Sequence, residues 1–150
     1  MATNEANRRG ENLTIAAPSA PHSGVGPQSG DPLVIGTGDS PDFGLACVVE
    51  NSYTQPSGLT PTGNIPVQFI GVFFLSVQGK VDVHGGGNVA LNPGDQVFAD
   101  TDGTRDATTG VYYGFTLDAN DESGIYFGNV LDAVVSGATT TVRVRLKVTG

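Results

Sequence analysis

From residue 141 onward the chain alternates with a period of two: Val142, Val144, Leu146 and Val148 are apolar, and Arg143, Arg145 and Lys147 stand between them. Successive side chains of a strand point to opposite faces, so this spacing predicts a strand over residues 141–149 with one buried and one wet face. Residues 67–77 carry a different pattern. There Phe69, Gly71, Phe73 and Leu75 alternate with Ile70, Val72 and Phe74, so both faces are apolar and at least one must meet a core or a neighbour. Gly71 inside that run predicts a bulge or bend. Shorter β-prone runs predict strands over 13–16, 32–35, 43–50, 96–99, 112–117 and 129–134. The 22 glycines and 9 prolines interrupt the chain too often for a helical period to develop, so the expected fold is all-β.

A turn-then-strand unit occurs twice, as Ser-Gly-Asp-Pro-Leu-Val-Ile over 29–35 and as Pro-Gly-Asp-Gln-Val-Phe-Ala over 93–99. Glycine permits the tight turn and Asp can accept from its backbone amides, and the two units are too dissimilar to show duplication, so two independent uses of one turn are the expected reading. Residues 18–30 and 54–64, rich in Ser, Gly and Pro, read as loops. Residues 1–11 hold little apolar material and read as an N-terminal arm, leaving 12–150 as a single β domain, the default for 150 residues.

Charge narrows the function. The formal net charge is -8, and residues 12–142 carry two basic side chains, Lys80 and Arg105, against thirteen acidic ones, which disfavours nucleic acid as a partner. Arg143, Arg145 and Lys147 reverse the sign locally, and either grip an acidic partner or keep an edge strand from pairing with other chains. The N-terminus lacks the apolar stretch of a signal peptide and no run approaches membrane-spanning length, so no membrane association is expected and assembly in a cytoplasm is. Cys47 is the only cysteine, which excludes an intrachain disulfide, and its apolar surroundings predict a buried structural thiol.

Motifs for chemistry are incomplete. His84-Gly85-Gly86-Gly87 matches the oxyanion segment of some esterases, but no Gly-x-Ser-x-Gly elbow accompanies it, and a hairpin turn between 81–83 and 89–91 accounts for it. The run Asp100 to Asp106 begins like a calcium loop. It then places Thr104, Arg105 and Val111 where an EF-hand needs an oxygen ligand, Gly and Glu, so a solvated loop is expected. Asp118, Asn120, Asp121 and Glu122 read likewise as an exposed turn. With two histidines and no phosphate loop or dinucleotide fingerprint, no catalytic residue, metal or cofactor is expected.

The order of features resembles the capsid cement, or head decoration, proteins of tailed bacteriophages. The resemblance rests on the Met-Ala-Thr-Asn-Glu start, Gly-Asp-Pro-Leu-Val-Ile near residue 31, Phe-Gly-Leu-Ala-Cys-Val-Val and Phe-Ile-Gly-Val-Phe-Phe-Leu-Ser-Val. It continues through Leu-Asn-Pro-Gly-Asp-Gln-Val-Phe-Ala and the closing Gly-Asn-Val-Leu-Asp-Ala-Val-Val-Ser-Gly-Ala-Thr-Thr-Thr-Val-Arg-Val-Arg-Leu. It implies a small antiparallel β-barrel or β-tulip-like domain with long loops and an extended arm, forming a homotrimer on the outer surface of the virion with the major capsid protein as partner. Contacts are then expected from Asn4, Glu5, Arg8 and Arg9 of the arm and from Arg143, Arg145 and Lys147. Loops at 18–30 and 118–128 are longer than in the family, so contacts made there do not transfer. Two other roles fit the same features: a tail, spike or baseplate component, or a surface carbohydrate-binding module using Tyr53, Tyr112, Tyr113 and Tyr126 as platforms.

Overall fold

The computed structural model describes residues 12–18, 28–36, 44–50, 64–82, 85–100, 103–119 and 125–147. The arm expected over 1–11 and most of the loops expected over 18–30 and 54–64 lie outside them. The described residues form eleven strands and no helix: β1 (Asn12–Ala16), β2 (Pro32–Ile35), β3 (Leu45–Val49), β4 (Asn64–Gln68), β5 (Val72–Gln78), β6 (Gln96–Ala99), β7 (Thr104–Arg105), β8 (Val111–Tyr113), β9 (Leu117–Asp118), β10 (Ile125–Val130) and β11 (Thr139–Leu146).

Six strands make one antiparallel sheet in the order β1-β4-β3-β2-β8-β7, and the other five close into a small barrel, β10-β11-β5-β9-β6. The expected all-β barrel is therefore present, with one departure from antiparallel pairing: β5 and β9 run parallel, meeting at Val77 and Leu117. The long β5–β11 ladder, from Thr139 opposite Gln78 to Arg145 opposite Val72, is the backbone of the barrel. Its closing seam is short, with β6 and β9 paired only through Phe98–Asp118 and Ala99–Leu117.

The barrel core collects Leu75, Val77, Val97, Leu117, Phe127, Val142, Val144 and Leu146, and one face of the sheet packs onto it through Val34, Ala46 and Val48. The other face of that sheet buries Leu33, Cys47, Val49, Val67 and Val111 in a second cluster. β2 and β3 are thus buried on both faces, which is why Leu33-Val34 and Ala46-Cys47-Val48-Val49 are unbroken apolar runs rather than alternations.

Glycine ends three of the predicted strands early or moves them. The run 67–77 divides at 69–71 into β4 and β5, where Gly71 has φ 143°, and 112–117 divides at Gly114, φ 69°, into β8 and β9. The strand expected over 129–134 is β10, four residues earlier. A bulge at Tyr126/Gly128 sets its register against β6, and a Cβ on Gly128 would stand 2.2 Å from the Arg145 carbonyl oxygen, so only glycine fits there. The two Gly-Asp turns are built alike. The Asp31 carboxylate accepts from the Gln28 amide and that of Asp95 from the Asn92 amide, both at 2.7 Å, and Gly30 and Gly94 hold positive φ.

Candidate interaction surface

β5 turns Leu75 and Val77 into the barrel and Val72, Phe74 and Ser76 outward. Residues opposite each other in an antiparallel pair share a face, and Phe74 lies opposite Arg143, Val72 opposite Arg145 and Ser76 opposite Thr141. The outer face of the ladder is therefore an apolar row beside a basic one. Phe74 is 72% exposed and Val72 50%, and Ile70, in the bend before β5, is exposed at the same end. Scattered surface apolar residues are ordinary, but a β-strand that presents Phe and Val side by side in a chain of net charge -8 offers a contact surface.

The three cations of the closing segment occupy three environments. Arg143 chelates Asp132, with Nη2 donating to Oδ1 at 2.6 Å, Nε to Oδ2 at 3.0 Å and its backbone amide to Oδ2 at 2.9 Å. These hydrogen bonds hold the Asp132 carboxyl down at about 2. Arg145 is exposed opposite Val72 and Asn129. Lys147 follows the end of β11 and is half-buried, with Nζ 5.9 Å from the Tyr126 ring centroid, and burial lowers its pKa. The edge-protection reading of this stripe is overturned. β11 is an interior strand, hydrogen-bonded to β10 on one side and β5 on the other, so it has no open edge to protect. Asn4, Glu5, Arg8 and Arg9 lie outside the described residues.

Cys47 is fully buried, its thiol pushed up to about 12 by desolvation, with Sγ 3.6 Å from the Leu33 carbonyl. Gly85 to Gly87 form the expected turn, with Val81 N–H donating to Gly87 O at 3.0 Å and a single bridge joining Lys80 and Asn88; His84 lies outside the described residues. Tyr112 is no sugar platform, because it is buried, stacked on Phe115 at 5.2 Å, and its hydroxyl donates to the Asp100 carbonyl and accepts from Gly103 N–H. Tyr53 lies outside the described residues.

The expectation of solvated acidic loops fails at Asp100, Asp106 and Asp118, while Asp102, Asn120, Asp121 and Glu122 lie outside the described residues. Asp100, at 1% exposure, and Asp118, at 0%, are buried, not solvated. Strand pairing causes this, since Asp118 belongs to β9 and lies opposite Phe98. Asp106 is buried too, accepting from the Thr108 and Thr109 amides in a tight turn instead of standing in a solvated loop. No family model matches this chain, and no curated protein or solved structure matches it either.

Proposed function

We propose that the protein is a structural virion component that binds the outer surface of a tailed-phage capsid as a homotrimer and stabilises the shell. The observation that carries the reading is the open β5–β11 face, an aromatic and two aliphatic side chains in water beside Arg143 and Arg145. A surface of this kind is suited to adhesion: Phe74, Val72 and Ile70 gain by leaving water, and the exposed Arg145, beside an Arg143 already held by Asp132, adds directed hydrogen bonds to acceptor groups on the partner. The sequence resemblance to head decoration proteins names that partner as the major capsid protein, and a small all-β barrel suits the role.

On this reading each subunit docks its exposed sheet face while Arg8 and Arg9 of the residue 1–11 arm extend the contact. Many copies on one lattice turn modest single contacts into durable attachment, because each bound subunit raises the effective concentration of its tethered mates. The shell is then clamped across subunit boundaries against outward pressure. Purified protein mixed with expanded, undecorated heads, and separately with tails, tests this by electron microscopy. Regular threefold density on heads is expected. Binding to tails alone points to a tail, spike or baseplate role, and binding to neither sinks the virion reading.

A further inference from the structure

Three carboxylates far apart in sequence meet beside the seam of the barrel. Asp100 directly follows β6, Asp118 closes β9, and Asp82 stands in the turn beyond β5; one carboxylate oxygen from each lies within 4.8 Å of the others. The backbone explains the meeting. β6 and β9 pair through Phe98–Asp118 and Ala99–Leu117, and the Asp100 amide extends the ladder by donating to Thr116 O at 3.0 Å. Asp100 is two residues beyond Phe98, so it shares the face of Asp118 as a diagonal neighbour, while Val97, Ala99 and Leu117 take the opposite face into the core. The Ala119 amide donates to Lys80 O at 2.9 Å, tying the Asp82 turn to the end of β9.

Two features go beyond an acidic cluster. Asp100 and Asp118 are essentially inaccessible to water. Both residues have other interactions, but the Oδ2 atom of each is buried and receives no hydrogen bond. Buried charges are paired or coordinate metals, and like charges brought together in a poorly solvated place need a positive charge among them.

We propose that Asp82, Asp100 and Asp118 bind a calcium ion. The donors are all hard oxygens. Calcium–oxygen bonds of roughly 2.3–2.6 Å span a coordination sphere of about 5 Å, which accommodates oxygens that all lie within 4.8 Å of one another, and calcium tolerates irregular geometry where magnesium demands a near-ideal octahedron. Asp82 is half-buried, which leaves one side for water to complete the shell. The ion joins β6, β9 and the segment at Asp82 where the barrel's pairing is thinnest, since β5 and β9 share one residue pair and β6 and β9 two. It acts as a clip on the barrel seam. The ligands come from three separate segments, so no contiguous loop motif reveals them. The site stands independently of the capsid reading.

The test is calorimetric titration of the chelator-stripped full chain with calcium, and separately with magnesium, alongside thermal unfolding. One calcium per chain and a melting temperature that climbs with calcium are expected. Asp82→Asn, in the half-buried turn, should keep the fold and weaken calcium about tenfold or more. Gly86→Ala keeps all three carboxylates but places a Cβ 2.5 Å from the Asp82 amide nitrogen, so it too should weaken binding by displacing the turn. Absence of heat and of any melting shift up to about 10 mM calcium, beyond the weak extracellular range, overturns the proposal. Undiminished binding in Asp82→Asn places the ion elsewhere and also overturns it, and tighter binding of magnesium than of calcium overturns the choice of ion.

Discussion

Replacing Phe74 by Thr separates folding from adhesion. Full burial of a Phe side chain is worth roughly 1.5–3 kcal/mol, and Phe74 is already 72% exposed, so folding draws only about 0.5 kcal/mol from it. Thr, being β-branched, prefers a strand as Phe does, so the backbone cost is small. The remaining ~1–2 kcal/mol is available only when a partner covers the face, which corresponds to a loss of roughly 5- to 30-fold in binding per site. Val144→Ala is the contrast. Val144 is fully buried one ladder position away, opposite Phe73, and losing two methyl groups with the cavity they leave should cost about 2–3 kcal/mol of stability. Urea unfolding measures the first quantity and co-sedimentation with undecorated heads the second. Phe74→Thr should unfold near the wild-type midpoint and sediment poorly with heads. Equal destabilisation by the two substitutions would mean that Phe74 is packed in solution, and unaltered head binding would remove the face from the contact.

Three further outcomes are expected. The Asp132 carboxyl, lowered from 3.8 to about 2 by Arg143, contributes stability that is present above pH 4 and is lost as pH falls through about 2; its carboxyl carbon should titrate there by NMR, and Arg143→Gln should return it to the ordinary range. Cys47, with its thiol pushed up to about 12, should resist iodoacetamide at pH 8 in the native state and be labelled at the rate of unfolding; fast native labelling would show the second cluster to be open. Gly128→Ala should cost about 3 kcal/mol or more because its Cβ would meet the Arg145 carbonyl, while Gly87→Ala, with nothing within 4 Å, should stay within about 0.5 kcal/mol, as denaturant midpoints will show.

How far the sequence discloses this fold depends on whether the deciding interaction is local. β2 and β6 are bounded as the residues predict because a Gly-Asp turn just before each one is fixed by contacts three residues apart. The alternation after residue 140 correctly separates Val142, Val144 and Leu146 from Arg143 and Arg145, since side-chain period is a property of the strand itself. Boundaries fail where a distant partner decides. Leu131 and Asp132 look like a continuation of β10, but the Leu131 amide donates to Arg143 O and the Asp132 carboxylate turns to Arg143, a contact invisible without β11. The same limit governs the surfaces. A two-sided apolar run over 67–77 shows that one face needs a core, but only pairing with β11 decides that Leu75 goes in and Phe74 stays out. Asp100 and Asp118 resemble turn residues locally, as acidic side chains among Thr, Gly and Asn do. Their burial follows from β6 lying beside β9, eighteen residues along the chain, and from a turn near residue 82 tied to the end of that pair. Chemistry assembled across such distances leaves no periodic trace, so the acidic residues with the strongest claim to a site are those the linear pattern assigns to solvent.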